Sequence, residues 1–488
     1  QAPFPPAVSP RRPATRASRG RSAMAESSGG APKGANEEPI VCVDREHSCW
    51  GCVFISCCLS MCITVDILQY SMPLAFLPSV LEDRGHSPLH IATAIGVYYW
   101  TGFAGGLMIT SFKIYQLVGA HKPKLDSAGL AATRRQVQYL IVGLLVGSAT
   151  LAVQAMYPRW AVHTVCRFIQ GFAGAFIFFY TFLLAVALFQ GRQQVFAMTA
   201  ASAALNVAEV LGSSVGAWLF DTWGQSSVFW FLGVASLVNQ LMLLAVLQLL
   251  RPGRGPAVAA AKAEASPDGW SKLLAVLKSR RLGCAVLLIA AAATVKGAVE
   301  EMLPFHADHR WGFSPIEIGQ LFSVIAVGYI ASAAVTGQVW DRLHSCKVAF
   351  SACWLVMLGG MALIVFEIAS YYKNQKVLMV GLLLYGTCLG LTHTPAALLL
   401  ADAIEAEPDV RAKDAVNGIW NTMWEAGGSL GFLLGGLLAE DYSGQLQLLQ
   451  GCGVCCVLCA AAMLALHRAP PEAGLKAAAQ LRTGYGSS

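Results

Sequence analysis

Twelve long apolar runs constrain this chain more than any other feature. They lie near 50–72, 90–112, 137–157, 161–189, 194–220, 226–250, 281–304, 316–340, 346–370, 376–401, 412–439 and 446–467. A bilayer core about 30 Å thick is crossed by about 20 apolar helical residues. The runs reach that length and are rich in Gly and Ala. They lack the ten-residue alternation of a membrane barrel, so they read as helices. Only 13% of the 488 residues are Asp, Glu, Lys or Arg, while 56% are hydrophobic. Soluble domains carry roughly a quarter charged residues, and this chain has too few to cover them. A cytosolic enzyme, a disordered chain and a nucleic-acid binder are therefore excluded. The net charge of +6 is spread over short segments between the runs and forms no polyanion-binding face.

The basic residues orient the chain. With both termini cytoplasmic, 27 of the 34 Lys and Arg fall in inside segments. Five fall outside: Arg84, Arg159, Arg310, Lys373 and Lys376. The positive-inside rule selects this topology. The expected organisation is a disordered cytoplasmic N-terminus at 1–48, a six-helix bundle at 49–250 and a cytoplasmic linker at 251–280. A second six-helix bundle follows at 281–467, then a cytoplasmic tail at 468–488. Residues 1–48 have no apolar stretch before Val41 and do not read as a signal peptide; Met24 is the expected start. Of the fifteen Cys, eleven sit inside the apolar runs, where a thiol packs as a small hydrophobe. Cys49 and Cys52 form a lone CxxC without a second pair or a His cluster, so no metal is expected. No nucleotide fingerprint appears either, and no cofactor is expected.

Three constellations sit at the ends or middles of particular spans. Span 4 holds Arg167, Gln170, Gly171, Gly174 and Ala175 in RFIQGFAGA. The loop after span 8 holds Gly337, Asp341, Arg342 and Lys347 in GQVWDRLHSCK. Span 11 holds Gly431, Gly435 and Gly436 in GFLLGG, and span 5 a weaker equivalent, Gly212 and Gly216 in GSSVGA. Glycines at four-residue spacing let helices cross closely and slide. Asp341 at a helix end can take backbone N–H groups or a neighbouring Arg, although ordinary loop solvation is the plain alternative for Asp341 and Arg342. Arg167 in mid-span must pair or face water.

These patterns resemble the major facilitator superfamily: R-x-x-Q-G-x-G-A in its fourth helix, G-x-x-x-D-R-x-x-x-x-K in its signature loop and G-P-x-x-G-G in its eleventh. The resemblance implies an all-α membrane protein of twelve transmembrane helices in two six-helix bundles, built from inverted repeats. It also implies transport rather than catalysis, with Gly212, Gly216, Gly431, Gly435 and Gly436 as packing and hinge positions. Arg167, Gln170, Gly337, Asp341 and Arg342 would serve coupling and gating. The first-half loop, KIYQLVGAHKP, keeps little of the signature beyond Gly119.

Span 1 narrows the likeness. DILQYSMPLAFLPSVL carries Asp66 twelve residues before Pro78. It resembles the first span of the vesicular amine transporters and related drug:proton antiporters, where an aspartate meets the cationic substrate. In span 7, Val299-Glu300-Glu301-Met302-Leu303-Pro304 looks like their L-E-P-x-L-P, which puts Glu300 at the family's membrane glutamate. An intramembrane carboxylate is costly unless it holds a cation or a proton. Lys296 stands four residues before Glu300 on the same helical face and can simply neutralise it.

The departures are specific. An ungapped comparison places Thr101 and Asn421 where vesicular monoamine transporters pair a span 2 lysine with a span 11 aspartate. Glu425, one turn beyond Asn421, is the candidate replacement. The span 10 aspartate appears here as His393, which carries a proton near neutral pH or stays neutral and hydrogen-bonded. Glu209 in span 5 is a candidate partner for Arg167, with packing near the helix end as the alternative. Trp100, Trp354, Trp420 and Trp424 are candidate rings for a cation.

The substrate and proton candidates are thus Asp66, Glu300, Glu425, His393, Asn421 and Lys296. The resulting expectation is a monomeric secondary transporter exchanging a small organic cation for protons across a lipid bilayer. A proton symporter or facilitator of a neutral or anionic metabolite, and a non-transporting receptor or scaffold on the same frame, stay open.

Overall fold

The computed structural model describes residues 48–118, 128–189, 191–250, 278–372, 374–405, 410–438 and 442–468. The expected start at Met24, the N-terminal segment before Ser48, Gly119, nearly all of the 251–280 linker and the tail beyond Arg468 lie outside them. Within the described residues, twelve long helices correspond one to one with the twelve apolar runs. They are α1 (Ser48–Leu74), α2 (Pro88–Val118), α3 (Ala128–Met156), α4 (Trp160–Leu188), α5 (Gly191–Trp223) and α6 (Gln225–Leu249). The second six are α7 (Arg280–Trp311), α8 (Pro315–Val339), α9 (Lys347–Tyr372), α10 (Gln375–Glu405), α11 (Val410–Leu438) and α12 (Tyr442–Arg468). At about 1.5 Å per residue each exceeds the bilayer core.

Ten of the twelve are long and apolar enough to cross a membrane. The remaining two, α2 and α11, pack along each other in the middle of the protein. Thr101, Thr110, Asn421 and Thr422 are buried in protein, so these helices tolerate a less lipid-like composition. Outward-facing side chains such as Val165, Phe168, Val234, Leu241 and Leu458 are more than half exposed, and hydrocarbon is the solvent that suits them.

The packing partners repeat with an offset of six helices. In the first half α1 packs on α5, α2 on α4, α3 on α6 and α3 on α4. In the second, α7 packs on α11, α8 on α10, α9 on α12 and α9 on α10. The two main contacts between halves, α2 with α11 and α5 with α8, exchange under the same offset. A two-fold relation between the halves produces that pattern.

Local chemistry sets the breaks. Pro73 ends the regular part of α1, and a short helix, Leu77–Glu82, follows with Pro78 in its first turn. Helix α7 stops at Gly312, whose φ of +65° suits the left-handed cap. Its N–H donates to Asp308 O at 2.7 Å. Ser314 then opens α8 with a capping box to Glu317.

Close crossings depend on missing side chains. A Cβ on Gly431 would meet the α7 backbone at Thr294 O and Ala298 N; one on Gly435 would meet Glu301, and one on Gly436 would meet Ala92 of α2. Gly216 lies against the Met72 backbone and Gly212 against Ser71, both in α1. At all five positions a Cβ would strike a neighbouring helix. Gly337 differs, because a Cβ there meets nothing within 4 Å. Gly431→Val is therefore expected to lower stability by about 1–3 kcal/mol through overpacking. Gly337→Ala should stay within about 0.5 kcal/mol. Thermal unfolding of the purified variants checks both, and equal shifts would contradict the difference in packing.

Candidate functional site

The carboxylates that looked costly in sequence converge where α1, α2, α5, α7 and α11 meet. Asp66 in α1 is buried, and its Oδ1 accepts from the Tyr98 hydroxyl of α2 at 3.0 Å. Gly174 of α4 lies beside it and leaves room for the carboxylate. One turn along α1, Tyr70 donates to Glu300 Oε2 of α7 at 2.5 Å. The other oxygen of Glu300 accepts from Lys296 Nζ at 2.5 Å, the i,i+4 neighbour that its spacing predicts.

Lys296 has a second carboxylate. Glu209 Oε1 of α5 lies 2.5 Å from the same Nζ. The ammonium also stands 5.7 Å from the Tyr70 ring centroid and 5.6 Å from that of Trp424. Two carboxylates and two aromatic faces thus surround one cation. This corrects the expectation that Glu209 pairs with Arg167: α5 turns Glu209 toward α7, where a cation with N–H donors already sits.

Two cavities adjoin Lys296 and Glu209. One is lined further by Asp66, Tyr98, Trp424 and Glu425. The other is lined by Ser71, Ser213, Glu300 and Tyr329. Glu425 packs over Gly102 of α2, where a Cβ would lie 2.7 Å from Oε2. That oxygen has no hydrogen-bond partner among the described residues.

Thr101 and Asn421 lie on the two helices of the α2–α11 seam without an observed contact between them. The Thr101 hydroxyl donates to Val97 O and Tyr98 O of its own helix and faces Gly171 of α4. The α2–α11 seam is made instead by Gly102 with Glu425, Gly106 with Thr422, and Thr110 with Thr422. One residue along a helix turns the side chain by about 100°, enough to send Thr101 to α4 and Gly102 to α11. Asn421 is buried and lines neither cavity, and its Oδ1 finds no donor among the described residues.

His393 of α10 bonds to the Tyr329 hydroxyl of α8 through Nδ1. Its ring lies 4.8 Å from Trp424 and 5.9 Å from Trp420. It borders neither cavity and reaches the Lys296 cluster through Tyr329, which lines one, and Trp424, which lines the other. Trp100 donates to Ser429 O at 3.2 Å and ties α2 to α11, while Trp354 packs on Phe350; neither lines a cavity.

The Arg167 side chain is fully buried, with 0% exposure. Its guanidinium carbon stands 5.9 Å from the Tyr98 ring centroid, and its nitrogens meet no acceptor among the described residues. Gln170, one turn on, donates to Thr150 at 3.0 Å and Gln154 at 2.8 Å, holding α4 to α3. In the signature-like loop, the Asp341 side chain lies outside the described atoms and Arg342 is exposed. Lys347 bonds to Asp402 of α10 at 2.8 Å and covers the Trp340 ring. Sequence reasoning missed Asp402, and also Tyr70 and Tyr98, which inside apolar runs look like packing.

The comparisons agree with this architecture. The family model of the Major Facilitator Superfamily matches residues 59–408 and 302–484. The multidrug resistance protein Stp of Mycobacterium tuberculosis is 24% identical over 370 residues, covering 66% of this chain and 67% of Stp. The rat MFS-type transporter SLC18B1 (Rattus norvegicus) is 22% identical over 236 residues, covering 47% of this chain and 49% of its own length. Among solved structures, a bacterial homologue of the human lysosomal transporter Spinster, inward-facing and unoccupied, superposes with a TM-score of 0.59 at 11% identity. It covers 86% of this chain and 96% of its own. The human organic anion transporter MFSD10 gives 0.52 at 20% identity, covering 85% and 98%. At these identities the structures speak for the fold alone, and with twelve matching helices and the family match along most of the sequence, the chain belongs to the major facilitator superfamily, as a multi-pass membrane transporter of small molecules.

Proposed function

We propose that this transporter exchanges a small organic cation for protons by alternating access. The observation that carries the reading is the charge balance of the central cluster: Asp66, Glu209, Glu300 and Glu425 gather around the single ammonium of Lys296. Tyr70, Tyr98 and Trp424 add aromatic faces suited to a cation. Carboxylates at this depth need a cation or a proton. Proton and substrate then compete for the same oxygens, and that competition couples their fluxes. Differential affinity between the inward and outward states does the transport work, with no covalent step.

One relative, Stp, is named a multidrug resistance protein, which supports a drug-like cargo. The excess of inside Lys and Arg supports cytoplasmic termini. An anionic cargo would need a cation at the cavity wall. Lys296 is held by two carboxylates, and Arg167 borders neither cavity.

Flux in proteoliposomes tests the proposal, with phenethylammonium as the probe. A proton gradient directed opposite to the probe is expected to drive its accumulation, and a protonophore to abolish it. Accumulation driven by a proton gradient in the same direction as the probe would establish symport instead.

A further inference from the structure

We propose that Lys296 is a tethered stand-in for the substrate's own ammonium, displaced from Glu209 and Glu300 when substrate binds. This deepens the cation-exchange reading and rests on it. The nest around Nζ has what a free ammonium requires. Two carboxylate oxygens stand at 2.5 Å on opposite helices, and two aromatic rings at under 6 Å wall the sides. An ammonium carries three N–H donors, so two go to carboxylates here. Without an internal cation, Glu209 and Glu300 would face each other as buried like charges when the carrier is empty.

Displacement has a route. Lys296 borders both cavities, and its four-carbon stem is flexible, so Nζ can leave one carboxylate for the neighbouring space beside Ser213 and Tyr329. Lys296 stays in the site, so substrate entry adds one positive charge, which release of a proton from Asp66 or Glu425 of the adjoining cavity offsets. Substrate entry also loosens the Lys296–Glu209 link, which ties α7 in the second half to α5 in the first. Substrate binding would thus release a bond that holds the halves together.

The same geometry sets a substrate class. Short N–H···O contacts to two carboxylates select a protonated amine that carries N–H donors. A quaternary ammonium has none to give.

The test compares wild type with Lys296→Ala, purified whole in detergent, by isothermal titration with n-butylammonium and tetramethylammonium at one pH and ionic strength. The first probe reproduces the four-carbon stem and ammonium of lysine. Lys296→Ala is expected to bind n-butylammonium at least about tenfold more tightly than wild type, with no such gain for tetramethylammonium. Wild type should still bind n-butylammonium, only more weakly. Equal affinities in the two proteins, an equal gain for tetramethylammonium, or no wild-type binding would overturn the proposal. Lys296→Met, which fills the space with an apolar side chain of similar length, must show the gain too if the alanine variant does not fold. The two readings fail separately. Absent proton exchange with an intact butylammonium gain refutes the exchange mechanism, whereas intact exchange without the gain refutes the stand-in.

Discussion

Asp66→Asn is expected to reduce proton-driven cation exchange by about 100-fold while leaving the fold intact. The substitution is nearly isosteric, and the amide oxygen can still accept from the Tyr98 hydroxyl that now bonds Oδ1 at 3.0 Å. Packing against Gly174 is unchanged in volume. What disappears is the negative charge, and with it the site's ability to hold either a cation or a proton. Removing one partner of a buried, hydrogen-bonded charge pair costs about 2–5 kcal/mol, which spans tens- to thousands-fold in affinity. The pH dependence should change as well. In wild type, acid on the substrate side competes with the cation for carboxylates, so apparent affinity falls as pH falls. In Asp66→Asn that competition loses its Asp66 component and the dependence flattens. Initial-rate flux across a pH series, with thermal unfolding as the control for folding, reads both effects. Full exchange activity in the variant would remove Asp66 from the mechanism.

The spans were legible because lipid imposes a simple length and composition rule on every helix it touches. The rule is weakest for α2 and α11, which meet each other. Asp66 and Glu300 were visible because a carboxylate in an apolar run is costly unless it holds a cation or a proton. The Lys296–Glu300 pair followed from i,i+4 spacing alone. The Lys296–Glu209 pair did not, since it joins helices 87 positions apart in different halves, a relation no local period encodes. Tyr70 and Tyr98 escaped notice for another reason. A tyrosine is amphipathic, and only the placement of its hydroxyl beside Glu300 or Asp66 separates a hydrogen-bond donor from a packing ring.

Arg167 yields the sharpest expectation, because stability and activity should move apart. Its guanidinium is fully buried beside the Tyr98 ring and meets no acceptor among the described residues. A buried charge without a counter-ion costs several kcal/mol of desolvation. Arg167→Met keeps much of the length and apolar volume and removes the charge. Replacing buried ionic groups by apolar ones of similar size is often neutral or stabilising, by about 1–4 kcal/mol. The variant is therefore expected to melt at or above the wild-type temperature while exchange falls by at least about tenfold, or 1.4 kcal/mol in barrier terms. The loss follows from position: the Tyr98 ring stands 5.9 Å from the Arg167 guanidinium carbon, and its hydroxyl donates to Asp66 at 3.0 Å. A change in charge at Arg167 alters the field in which Asp66 takes up or releases its proton. Arg167→Lys should restore part of the exchange, because the charge returns without the planar fork. A fall in melting temperature for Arg167→Met with exchange retained would make Arg167 a structural residue, held in place by its packing and not by coupling.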